Sequence, residues 1–160
     1  MSPREPVVFG PAALALFELD RPTAVSAGAG SGKTTALVEL CVRLLSGEAT
    51  GTPLDPGAIA AITFTEKAAE ELVLRLRAAV AERARRAAAE AASGSRSSLG
   101  PEAQAWLDRL HGVERMAVGT IHGFCGRLLR EHAPEAGLDP EFTVVDEERA
   151  AAPWNRHTAP

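Results

Sequence analysis

An α/β fold with a parallel sheet flanked by helices is what this sequence predicts, and three observations carry it. Short apolar runs of strand length alternate with longer segments of helical period. The runs are mostly apolar and do not alternate with charged residues, as in strands covered on both faces. A glycine-rich loop joins the first run to the first helical segment. Right-handed crossovers between such strands place ligands at their carboxyl ends.

Residues 1–22 are a loose lead-in, with helical period only over Ala12–Leu19. Thr23–Ser26 reads as a buried strand running into Gly28, Gly30 and Gly32. A helix follows over Lys33–Leu45, with Leu37, Leu40, Cys41, Leu44 and Leu45 at helical spacing and Ser46, Gly47 at its exit. A loop rich in Gly and Pro leads to a second strand, Ala58–Phe64. Glu66–Ala92 is a long helix whose stripe is Leu72, Val73, Leu76, Val80, Ala84, Ala87 and Ala91. After the break SGSRSS, Gly100 and Pro101 open a helix carrying Trp106, Leu107 and Leu110. Met116–Gly119 is a third strand, Ile121–Glu131 a further helix, and Phe142–Val145 a candidate fourth strand. No internal repeat is visible.

The 160 residues suit one domain and are short for an enzyme that couples two. Hydrophobic residues at 46% and charged residues at 24% exclude a disordered tail or a fibre. Seventeen Lys plus Arg against twenty-one Asp plus Glu leave a net charge of −4, so any nucleic-acid contact must be local. Cys41 and Cys125 are the only cysteines. The apolar stretches are too short to span a bilayer, and the N-terminus has no signal-peptide pattern, so a cytoplasmic protein with no membrane partner is expected. With five Phe and no Tyr, each ring available for stacking on a base counts.

Ala27–Thr34 reads AGAGSGKT between a predicted strand and a predicted helix, the context a phosphate-binding P-loop requires. Ala27 stands where the motif wants its first Gly, while Gly28, Gly30 and Gly32 supply freedom at positive φ. Ala27, Gly28, Ala29, Gly30, Ser31, Gly32, Lys33, Thr34 and Thr35 are therefore the nucleotide-binding candidates. Amides from Ala29 to Thr34 can converge on phosphate oxygens at a helix N-terminus. Lys33 can reach the β and γ phosphates and the Thr34 hydroxyl can hold Mg²⁺, which makes both catalytic candidates and Thr34 the metal candidate. The motif touches only phosphates and so does not name the nucleotide or the reaction.

Ile62–Ala69 reads ITFTEKAA at a strand end. Phe64 could stack a base there while Thr65 and Lys67 hold a phosphate of a single strand, or Phe64 could be core with Thr65 as helix N-cap. Gly119–Cys125 reads GTIHGFC, placing Thr120 and His122 near the same sheet edge, with Phe124 and Cys125 expected in the core. His122, Cys125 and His132 invite a zinc reading that lacks a fourth ligand. Arg75, Arg77, Arg83, Arg85 and Arg86 on the long helix read as a solvated face.

Taken in order, AGAGSGKT, ITFTEKAAEEL and VGTIHGFCGRLLREH resemble the motor start of UvrD/Rep-type superfamily 1 DNA helicases, most closely the AddA and RecB helicase-nuclease branch. The likeness runs from Thr23 to Arg149. It implies an incomplete RecA-like P-loop NTPase domain over residues 23–132 and the start of an inserted helical subdomain over 133–160. It also implies ATP and Mg²⁺ as cofactors, single-stranded DNA as partner, and a helicase-nuclease partner subunit. By resemblance, Gly28–Thr35 bind Mg-ATP, while Phe64, Thr65, Lys67, Thr120 and His122 contact DNA, with Phe124 in the same segment.

The chain departs from that family pattern in three respects. The only Gln is Gln104, far from the P-loop, where the family places an adenine-reading Gln upstream. No DExQD-type acidic segment or distal arginine is evident; Phe142–Glu147 (FTVVDE) has the local form of one, but by resemblance this position leads into the inserted helical subdomain, and Asp146 and Glu147 read rather as a helix N-cap with an acidic first turn than as catalytic carboxylates. Helical period is lost at Pro153, which suggests a truncated chain that binds ATP weakly and turns it over poorly alone. A nucleotide-binding remnant without turnover and a P-loop small-molecule kinase are the alternatives, though the kinase would need an Arg-rich lid that is not visible.

Overall fold

The computed structural model describes residues 10, 15–19, 22–28, 30–93 and 100–145. The chain divides into two compact units, Met1–Thr120 and Ile121–Pro160. In the first, helix α1 (Lys33–Ser46) precedes strand β1 (Ala60–Thr63), helix α2 (Glu66–Ser93), helix α3 (Pro101–Gly112) and strand β2 (Ala117–Thr120). Single 3-10 turns lie at Ala15–Phe17, Pro56–Ala58 and Val113–Arg115.

β1 and β2 pair in parallel, Ala60 opposite Ala117 through Thr63 opposite Thr120, so both strands end at one level. The α2–α3 hairpin makes the crossover that a parallel pair needs. α2 carries one uninterrupted buried stripe: Ala69, Leu72, Leu76, Val80, Ala84 and Ala87 are all buried. They pack with Val38, Cys41, Val42 and Leu45 of α1, Ile59 and Ala61 beside and in β1, and Ala103 and Trp106 of α3.

The flanks and the far face of α2 are ionic, with Arg83 half-buried at the edge of the apolar stripe and not on a solvated face. Arg75 pairs with Glu71, Arg77 with Glu114, Arg83 with Glu39 and Glu48, and Arg85 and Arg86 with Glu82. The Arg86 hydrogen bond to Glu82 holds that carboxyl below its ordinary range.

Glycine ends α1. Gly47 has φ 86° and donates its N–H to the Arg43 carbonyl, and a Cβ there would lie 2.7 Å from Pro53 N. A further turn, in which Gly51 N–H donates to the Gly47 carbonyl at 2.8 Å, brings Pro53 back against Gly47.

In the second unit, α4 (Ile121–Glu131) continues into turns in which Leu138 N–H donates to the Ala133 carbonyl at 2.9 Å. The Arg130 guanidinium lies 5.0 Å from the centre of the Phe142 ring.

The α/β class and the parallel pairing agree with the sequence reading, and four elements differ. Thr23–Ser26 is irregular backbone, and Val25 is 52% exposed. An apolar tetrad becomes a strand only when another strand takes up its N–H and C=O groups, and among the described residues the sheet holds β1 and β2 alone. β1 begins at Ala60 because Pro56, with Asp55 capping the Gly57 N–H at 2.7 Å, sets a 3-10 turn first. The buried stripe of α1 is Ala36, Val38, Cys41, Val42 and Leu45, rotated from the predicted one, with Leu37 and Leu44 half-buried. Phe142–Val145 is irregular, with Val144 and Val145 exposed.

Candidate functional site

The loop before α1 is built around two carbonyls. Lys33 Nζ donates to the Ala27 carbonyl at 2.6 Å and to the Gly28 carbonyl at 2.5 Å. Ser31 Oγ donates to the same Gly28 oxygen at 2.9 Å. Gly30 and Gly32 adopt φ of 75° and 87°, the left-handed region that glycine enters without penalty. Gly28 does not, so two of the three loop glycines, not all three, supply positive φ. Ala27 also keeps a negative φ, so the alanine in the motif's first position carries no strain.

Gly32 is the N-cap of α1 and no side chain caps that end. A Ser or Asp there would engage an N–H of the first turn; glycine leaves the amides of Lys33, Thr34 and Thr35 for an outside acceptor. Lys33 and Thr34 are exposed and Thr35 is half-buried. A loop whose described residues adopt unstrained φ, an uncapped helix start, an exposed ammonium and a neighbouring hydroxyl fit a polyphosphate with its divalent cation. Ala29 lies outside the described residues, as do Asp146 and Glu147.

A second cluster stands at the carboxyl ends of β1 and β2. Phe64 is 98% exposed immediately after β1, so it is not a core residue. A phenyl ring wholly in water at a strand end has no packing role in its own unit. Thr65 Oγ accepts from Ala68 N–H at 3.2 Å, so Thr65 does cap the helix start. Thr63 Oγ donates to the Thr65 carbonyl at 3.0 Å and reaches the Gly119 carbonyl of β2 at 3.4 Å. Thr120 is buried, and its hydroxyl donates to Glu66 Oε1 at 2.8 Å. Lys67 is exposed in the first turn of α2.

Phe64, Thr65, Lys67 and Thr120 are thus brought together, with Thr63 and Glu66 as the residues that join them. Sequence reasoning gives neither a role: the Thr120–Glu66 contact depends on the strand register, which the segment ITFTEKAA does not contain. His122 belongs to the second unit, where it is exposed in the first turn of α4. Phe124 is half-buried, and Cys125 is exposed, against the expectation of a core position. Among the described residues no three His, Cys, Asp or Glu side chains gather as a metal site. Cys41 is buried between helices, which pushes its thiol up to about 11.

The family model of the UvrD/REP helicase N-terminal domain matches residues 12–158. The chain belongs to that family. Among similar proteins, an ATP-dependent helicase/nuclease subunit of Pelotomaculum thermopropionicum is 36% identical over 127 residues, 79% of this chain and 9% of that protein. The protein of the same description from Desulforudis audaxviator is 34% identical over 89% of this chain and 10% of its own length. That from Exiguobacterium sibiricum is 35% identical over 77% of this chain and 9% of its own. The chain spans about a tenth of the length of the curated relatives it matches. Among the described residues no helix is long and apolar enough to cross a membrane.

Proposed function

We propose that this chain is the nucleotide- and DNA-contacting front of an ATP-dependent DNA helicase that moves on single-stranded DNA in recombination and repair. Its family and the names of its relatives support the helicase reading. The observation that carries the DNA part is Phe64, 98% exposed at the carboxyl end of a parallel strand, where open α/β sheets present ligand contacts. Every base has a π face, so a bare ring there is suited to a strand whose sequence varies.

In this reading the Ala27–Thr35 loop of a RecA-like domain holds ATP with Mg²⁺. Lys33 exchanges its hold on the Ala27 and Gly28 carbonyls for shared contact with phosphate oxygens, and the amides after Gly32 take up the rest of that charge. Thr34 directs its hydroxyl to the cation. When bound, Mg²⁺ neutralises charge on the β and γ phosphate oxygens. Phe64 stacks a base and Lys67 meets the adjacent phosphate; His122, in the second unit, is a separate DNA contact of its own. No residue of this chain is assigned as the carboxylate that activates water.

The test is an anisotropy titration of labelled single-stranded and duplex oligonucleotides over increasing salt. Preference for the single strand, with a shallow salt slope because stacking adds to few phosphate contacts, is expected. Equal affinity for duplex, or no binding to either, contradicts the reading.

A further inference from the structure

Among the described residues of the first unit Thr120 is the buried polar one, and the acceptor of its hydroxyl, Glu66, lies 54 residues away in sequence. The hydrogen bond spans from the last residue of β2 to the first residue of α2. Next to it, Thr63 Oγ joins the end of β1 to the Gly119 carbonyl and to the Thr65 carbonyl. Phe64 sits between these two links with no burial of its own. A ring that packs on nothing is positioned only by its backbone. Here that backbone is held on one side by the half-buried Thr63 and on the other by the bond between Glu66 and the buried Thr120.

Glu66 also carries the wrong sign for a direct DNA contact. A carboxylate in the first turn of a helix favours the helix, yet it repels a phosphate that would approach the same amides. Its presence beside Lys67 is explained if its task is internal.

We propose that Glu66 is a positioning residue: by accepting the Thr120 hydroxyl it locks the ends of β1 and β2 together and fixes the Phe64 ring in the attitude in which a base stacks. This rests on the reading of Phe64 as a stacking platform and adds what determines its geometry. The link works through hydrogen-bond acceptance, not charge. Gln in place of Glu66 keeps an acceptor oxygen at that position, whereas Ala removes it; Val in place of Thr120 keeps the shape and removes the donor.

The experiment uses a single-stranded oligothymidylate with one 2-aminopurine, whose fluorescence is quenched when it stacks. Quenching is read at saturating protein, per bound oligonucleotide, so a partly unfolded variant does not lower it. Phe64→Ala abolishes the quenching if the stacking reading holds. Glu66→Ala and Thr120→Val are then expected to lose most of it and to bind about fivefold more weakly, the loss of one stacked base. Glu66→Gln is expected to match the unsubstituted chain. Full quenching in Glu66→Ala and Thr120→Val, with Phe64→Ala defective, overturns the positioning role and leaves the platform standing. Tighter binding by both Glu66→Gln and Glu66→Ala overturns it too, because Glu66 then acts as a repelling charge. Unchanged quenching in Phe64→Ala defeats the platform itself.

Discussion

The ammonium of Lys33 lies 2.6 Å from the carbonyl oxygen of Ala27, six residues earlier, and so closes the loop upon itself. That oxygen belongs to the backbone, and Ala27 has a negative φ that any residue can adopt. Restoring the glycine that the P-loop pattern prefers should therefore gain nothing. Ala27→Gly is expected to leave ATP affinity unchanged and to lower stability by about 0.5–1 kcal/mol through added freedom of the unfolded chain. Nucleotide titration and thermal melting of the two chains check it.

Phe64→Ala separates stability from binding. The ring is 98% exposed, so its removal should leave the melting midpoint where it was. Leu76→Ala, at a fully buried position in the middle of α2, should instead cost about 2–5 kcal/mol. Denaturant titrations of the two variants side by side read the contrast.

Gly47 cannot be replaced at low cost. Its φ is 86°, and an added Cβ would sit 2.7 Å from both Pro53 N and Thr52 C, backbone atoms that cannot swing aside. Gly47→Ala should destabilise by about 2 kcal/mol or more, the left-handed penalty plus displacement of the following turn. Gly51→Ala, with nothing within 4 Å, carries only the backbone penalty and is the control.

The two thiols should behave differently. Cys125 is exposed and should react with a maleimide or disulfide reagent within the native state, while Cys41 should react only on unfolding. Burial raises Cys41 from 9.0 to about 11, so between these values the unfolded thiol ionises and the folded one does not. The folded state then binds more protons, and stability is fully present below pH 9 and falls as pH rises to 11, by up to about 3 kcal/mol. Cys41→Ala should remove that slope from the pH profile of denaturant midpoints.

The long helix is readable in sequence because six buried positions of α2 follow one period without interruption. The loop before α1 is readable as a closed glycine-rich turn because its glycines and Lys33 form a local pattern whose geometry depends on neighbours within six residues. Thr23–Ser26 is not, because strand formation depends on a pairing partner and sequence reports only the candidate. The α1 stripe is ambiguous because Leu and Val alternate round Leu37–Val42, and only packing against α2 decides which of them face inward. Phe64 could be core or surface on residue type alone; its environment is set by the β1–β2 register and the turn to α2. Glu66 gains meaning only with Thr120 beside it.

Calorimetric titration of Mg-ATP into the chain and into Lys33→Ala decides whether the loop closed by Lys33 is a working nucleotide site. Lys33 is exposed, so the substitution leaves the fold intact, which circular dichroism verifies. Saturable binding by the unsubstituted chain, weakened at least about tenfold in Lys33→Ala, is the predicted result, as expected for loss of a charged hydrogen-bond donor to phosphate. Equal affinity in the two chains, or no heat from either, would mean that the loop is not such a site.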